Sequence, residues 1–239
     1  MIRGFGAAGP ALSLMLALGA ACSGAKDTAA ARAPAPAETK APPGLDTAPP
    51  AKSKVVALGD SITAGLGVYQ VDAYPAQLQA MIDAEGYNFE MVNAGESGDT
   101  SATALRRVDF VLDPNVKVLI VAVGGNDALR GLSPNATHDN VLAIVKKAQG
   151  KGVDVLLAGM QAPPNLGTDY ADAFRAVFYK VARETSATFL PFLLEGVAGS
   201  PTLNQGDGIH PTVEGHKIIA AQMYDKLKPL LDDITNRTP

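Results

Sequence analysis

From Lys54 onward the chain alternates five short, almost uninterrupted apolar runs with longer segments of helical spacing, and that alternation restricts the fold more than any other feature. The runs cover residues 54–59, 88–93, 116–123, 153–159 and 188–191, and they stop at Gly, Asn, Val or Pro. A strand that is apolar at consecutive positions has no solvent face, so its sheet must be covered on both sides. Residues 74–85, 100–112, 135–149, 169–186 and 213–231 have the helical patterns that would supply those covers. The expected class is α/β, a three-layer α/β/α sandwich around a five-stranded parallel sheet. In such sheets ligands bind beyond the carboxyl ends of the strands. Three polar, glycine-containing clusters fall there: Gly59-Asp60-Ser61, Asn93-Ala94-Gly95 and Gly124-Gly125-Asn126-Asp127.

The residues before this domain are of another kind. Arg3 followed by the apolar run 11–21 reads as an export signal, because eleven residues are too few to span a bilayer. Cys22, the only cysteine, stands at the end of that run. Small residues precede it as in a bacterial lipobox, although Leu18 is one place early; ordinary cleavage nearby is the alternative. Residues 23–53 are about half Ala and Pro with almost no large apolar side chain, so they cannot offset their ordering entropy. The expected organisation is a signal over 1–22, a disordered linker over 23–53 and a folded domain over 54–239. A lipidated Cys22 would attach the protein to a membrane of the bacterial envelope, with the linker as tether. A net charge of −4 leaves no basic footprint for nucleic acid. Oligomeric state is not legible.

Acyl transfer needs a nucleophile, a base, a group to orient the base, and donors for the oxyanion. Ser61 follows the first strand and opens a helical turn, where it is accessible; a simple capping role for Asp60 or Ser61 fits the same residues. Of three histidines, His138 sits in a polar helical stretch, and His216 belongs in the last helix in a surface or half-buried role. His210 stands in Asp207-Gly208-Ile209-His210-Pro211, just before that helix. The offset of three can bring the Asp207 carboxylate to Nδ1, leaving Nε2 for Ser61, and Pro211 is placed to start the helix. The backbone N–H groups of Ser61 and Gly95 and the Asn126 amide are the candidate oxyanion donors. Each motif alone has a turn-forming alternative; their combination is what carries the reading.

Together the four motifs, in order, resemble the blocks of SGNH (GDSL) hydrolases over about residues 54–230. Ser97-Gly98-Asp99-Thr100-Ser101, the run 125–131 and the run 159–165 are similar to the thioesterase I, lysophospholipase and arylesterase branch. The resemblance implies a flavodoxin-like SGNH fold, a triad of Ser61, Asp207 and His210, and an oxyanion hole of Ser61, Gly95 and Asn126. It implies serine-dependent hydrolysis of acyl esters, aryl esters, lysophospholipids or acyl thioesters. Gly59-Asp60-Ser61-Ile62-Thr63 lacks the last Gly of a G-x-S-x-G elbow, which argues against an α/β-hydrolase. No cofactor is called for, and no cluster suited to a metal is visible. Leu66, Leu129, Met160, Pro163 and Leu166 are the candidates for an acyl-binding groove, with packing under loops as the alternative. A carbohydrate O-acetyl esterase is a competing substrate class, weakened by the absence of Trp. A non-catalytic envelope binding protein is disfavoured by the complete catalytic set.

Overall fold

A computed structural model describes residues 52–237. The expected signal over 1–22, the lipidated Cys22 and nearly all of the linker lie outside the described residues. Five strands form one sheet: β1 (Ser53–Gly59), β2 (Phe89–Gly95), β3 (Val116–Ala122), β4 (Asp154–Ala158) and β5 (Thr188–Leu190). They are ordered β2-β1-β3-β4-β5, and every pairing is parallel. Among the described residues seven α-helices connect or follow them: α1 (Ser61–Ala64), α2 (Tyr74–Ala84), α3 (Ser101–Val111), α4 (Gly125–Leu129), α5 (Pro134–Gly150), α6 (Thr168–Thr185) and α7 (Val213–Arg237). Helices α3, α5 and α6 pack on one another, as α2 does on α7, which gives the two outer layers.

Burial follows the sequence pattern. Val55 to Leu58 of β1 and Val118 to Ala122 of β3 are fully enclosed, as consecutive apolar residues in central strands require. Edge strand β2 keeps Glu90 and Asn93 exposed. Local chemistry sets the helix starts. Thr100 and Thr103 form a capping box at α3, and Ser133 followed by Pro134 opens α5.

Three features differ from the sequence expectation. Strand β2 runs on to Gly95, because it pairs with β1 along its whole length and Gly95 lies opposite Gly59. Helix α7 starts at Val213, where its helical pattern begins, so Pro211 lies ahead of the helix and is not its first residue. Pro211 instead pairs with Asn204 in an isolated bridge, and the Thr212 hydroxyl accepts from the Gly215 N–H. Helix α1 is the turn expected at Ser61, whereas α4, of five residues, is too short for a periodic signal and is not among the expected helices.

The sheet order reverses at β1. The chain passes from β1 outward to β2 and returns to lay β3 on the other side. A crevice beyond the carboxyl ends of β1 and β3 follows from that reversal. Ser61 and Asn126 stand at its two sides.

Candidate active site

Ser61 is the first residue of α1. Asp60, 1 % exposed, caps that turn by accepting from the Ile62 N–H at 3.1 Å. Gly65, in the left-handed region, ends it one turn later. Burial raises the Asp60 carboxyl to about 6, against the pull of the Ile62 N–H. The Ser61 Oγ lies 2.8 Å from Nε2 of His210, across 149 residues of sequence.

His210 is presented by the loop over 204–211, which is closed upon itself. Gln205 N–H donates to the His210 carbonyl at 2.7 Å, and Gly208 N–H donates to the Gln205 carbonyl at 2.9 Å. The Gln205 side chain then fastens the loop to α1's exit by donating to the Leu66 carbonyl at 2.7 Å. Asp207 contacts His210 twice, through Oδ2 to Nδ1 at 2.6 Å and through Oδ1 to the backbone N–H at 3.0 Å. The ring contact and these N–H groups hold its carboxyl well below the usual carboxylate range. Hydroxyl, imidazole and carboxylate are therefore in line, as the sequence predicts. The other histidines are elsewhere. His138 meets Asp139 and Glu184, and His216 is fully buried rather than at the surface or half-buried, accepting from the Tyr74 N–H at 3.2 Å.

The donor side of the site departs from expectation at one residue. Gly95 does not offer a free N–H: it donates to Asn93 Oδ1 at 3.0 Å. Its Cα is pressed on α1, so that a Cβ there would come within 2.2 Å of the Ala64 nitrogen. Glycine at 95 thus permits close packing of β2 against α1. Gly98, three residues on, has φ +88°, and only the Arg130 guanidinium, which donates to its carbonyl at 3.0 Å, comes near the place of a Cβ there. No described group accepts from the N–H of Ser61 or of Gly98. Asn126 Nδ2 donates to the Asp99 carbonyl at 3.0 Å, which places its amide against the Asp99–Thr100 peptide, next to Gly98, and leaves one N–H for a ligand. The sequence signal for Gly98 was present in Ser97-Gly98-Asp99. Asn93-Ala94-Gly95, the expected donor segment, belongs instead to the end of β2, with Gly95 paired opposite Gly59.

Two side-chain clusters hold these donors. Arg107 pairs with Asp99 at 2.6 Å and donates to the Gly59 carbonyl at 2.9 Å, so one guanidinium ties the loop after β2 to the residue before Asp60. Asp127, 2 % exposed, accepts from the Ser101 N–H at 2.8 Å, the Ser101 hydroxyl at 2.5 Å and the Thr137 hydroxyl at 3.2 Å. Asp127 follows Asn126 directly, so α3 and α5 both fix the turn that carries the amide.

On the other side of Ser61 runs a groove of about 450 Å³, lined by Leu129, Met160, Pro163, Phe192, Leu194 and Ile209 among others. Leu129, Met160 and Pro163 are where the sequence predicts. Leu66 and Leu166, both exposed, are not part of this lining. Phe192 and Leu194, in the connection just after β5, also line it and have no local pattern that marks them. Among the described residues no group of three or more His, Cys, Asp or Glu is placed to hold a metal ion.

Comparison with known proteins agrees with this geometry. Residues 57–218 match the GDSL-like Lipase/Acylhydrolase family. Esterase TesA of Pseudomonas aeruginosa is 39 % identical over 182 residues, covering 76 % of this chain and 90 % of that one. The thioesterase 1/protease 1/lysophospholipase L1 of Escherichia coli K12 is 35 % identical over 183 residues, 76 % and 86 % of the two chains. A crystal structure of the psychrotrophic esterase EstA from Pseudoalteromonas sp., inhibited by monoethylphosphonate, superposes with a TM-score of 0.71. It is 32 % identical and spans 76 % of this chain and all of that one. The chain belongs to the GDSL-like lipase/acylhydrolase family and is a carboxylic ester hydrolase.

Proposed function

We propose that this hydrolase cleaves acyl esters through a covalent Ser61 acyl-enzyme. The observation that carries the reading is the unbroken series Ser61 Oγ to His210 Nε2 at 2.8 Å and His210 Nδ1 to Asp207 Oδ2 at 2.6 Å. His210 takes the Ser61 proton as Oγ attacks the carbonyl, and Asp207 fixes the tautomer and stabilises the imidazolium. The N–H groups of Ser61 and Gly98 and the Asn126 amide receive the oxyanion, with Gly98 in the place first expected for Gly95. His210 then protonates the leaving alcohol or thiol, and water repeats the sequence on the acyl-enzyme.

The apolar groove accepts the acyl chain, so the substrates are medium- or long-chain esters, lysophospholipids and acyl thioesters. The names of the relatives above, an esterase and a thioesterase/lysophospholipase, support the ester, thioester and lysophospholipid classes, and the groove supports the chain length. A chain-length series of p-nitrophenyl esters, run beside matched thioesters and a lysophospholipid, tests it. The expected outcome is a kcat/KM that rises from acetyl toward octanoyl. Strict preference for acetyl would point to the carbohydrate O-acetyl ester class instead. For location, the run 11–22 supports export and lipidation at Cys22; mass spectrometry of the mature N-terminus decides between a diacylglyceryl cysteine and ordinary cleavage.

A further inference from the structure

Nine large apolar side chains are exposed among the described residues, and their distribution is uneven. Leu66, Tyr69 and Val71 follow β1. Leu129 and Leu132 follow β3, Leu166 follows β4, and Ile209 follows β5. In a parallel sheet those connections share one rim, the rim that carries Ser61. Only Phe110 and Tyr179 lie elsewhere, on α3 and α6. Single exposed apolar residues are ordinary, but a concentration of them at one end of a domain marks a contact surface. Tyr69 and Val71 are 82 % and 76 % exposed, so internal packing does not account for them.

The surface is continuous with the site. Leu129 and Ile209 belong both to it and to the lining of the groove. Across Ser61, Val71 shares a second depression with Asn93 and Gly95. The exposed apolar residues therefore flank the nucleophile on both sides. Along the connections that form this rim (65–73, 96–100, 123–133, 159–167 and 191–212) Arg130 is the only Lys or Arg, whereas Asp72, Glu96 and Asp207 are exposed or half-buried acids. That charge pattern offers nothing to a polyanion or to an anionic membrane.

We propose that this rim docks on a neutral or zwitterionic lipid surface, with Tyr69 and Val71 entering its apolar layer. A protein seated on the same residues would cover the mouth of the groove. A lipid surface covers them and also supplies the molecule that enters it. The proposal rests on the reading of the groove as an acyl-chain site, and its test is separate from turnover.

The test uses the full chain carrying Ser61→Ala, to stop hydrolysis, and Cys22→Ser, to remove lipidation. Flotation with phosphatidylcholine vesicles should recover this protein with the lipid, to the same extent at low and high salt. Adding Tyr69→Ser and Val71→Ser should lower the partition coefficient by about tenfold or more, while Phe110→Ser on α3 leaves it unchanged. In the catalytically intact chain, the same pair should preserve turnover of a soluble butyrate ester and reduce turnover of a long-chain ester presented in vesicles. Equal flotation with and without the pair overturns the proposal. So does binding that appears only with anionic lipid, or a dimer in sedimentation that the pair abolishes, which would assign the rim to a second copy. Failure of the chain-length series with intact flotation would overturn the substrate reading alone.

Discussion

The two sides of Ser61 are built in opposite ways. On the base side, Asp207 and His210 come from one short loop, and their side chains are 44 % and 16 % exposed. On the donor side, Asn126 is held by Asp127, 2 % exposed, through contacts from α3 and α5, and by the Asp99 carbonyl, whose residue Arg107 ties to β1. The difference matches the work each side does. An imidazole that takes a proton and returns it needs a local partner and some freedom. Donors that stabilise a developing charge must already be fixed when it appears, and a buried, fully bonded network supplies that.

Substitutions should expose this contrast. The largest effect is expected from Ser61→Ala, a loss of about 10⁵–10⁶ in kcat with an unchanged melting temperature, read with a p-nitrophenyl ester and by calorimetry. Asn126→Ala should lower kcat by about 10²–10³, or 3–4 kcal/mol of barrier, with KM nearly constant; a change confined to KM would remove the amide from the oxyanion site.

The sharper comparison sets Asp127→Ala against Asp207→Ala. Loss of the buried carboxylate leaves the Ser101 donors without an acceptor, at about 1–3 kcal/mol each, so its melting temperature should fall by several degrees. Asp207→Ala should impair turnover severely yet melt close to the parent. Equal destabilisation by both would break the distinction between the two sides.

The smallest effect is in pH. Burial lowers His216 from its ordinary 6.5 to about 4, so the unfolded chain gains a proton that the folded chain refuses, and stability drops as pH falls through that window. Asp60 does the reverse. Raised from 3.8 to about 6, it binds a proton first in the folded state, and stability rises as pH falls from about 6 to about 4. The two offset each other in the parent. Thermal melts from pH 7 to 4 should show His216→Gln gaining relative stability on acidification and Asp60→Asn losing it.

Much of this was legible beforehand, and the exceptions have causes. Five strands and five long helices follow from apolar periodicity, and the triad from the resemblance that the four motifs carry together, each of them ambiguous alone. Periodicity could not locate α4, little more than one turn. It also could not tell that β2 continues to Gly95, since pairing with β1 and not composition sets where that edge strand stops. Two glycines three residues apart, Gly95 and Gly98, are alike as sequence, and only the pairing of β2 tells which of them lies beyond the strand. Arg107 and the Ser101–Asp127–Thr137 cluster depend on contacts between α3, β1 and α5 that no local pattern encodes.

One contact joins the beginning of this domain to its end. Ser61 follows β1, the strand that organises the sheet, whereas His210 leads into α7, the last helix. Mild denaturant that loosens only the C-terminal segment would part hydroxyl from imidazole while the sheet persists. Inactivation should then run ahead of the loss of far-ultraviolet ellipticity, making catalytic rate a more sensitive gauge of intactness than bulk spectroscopy.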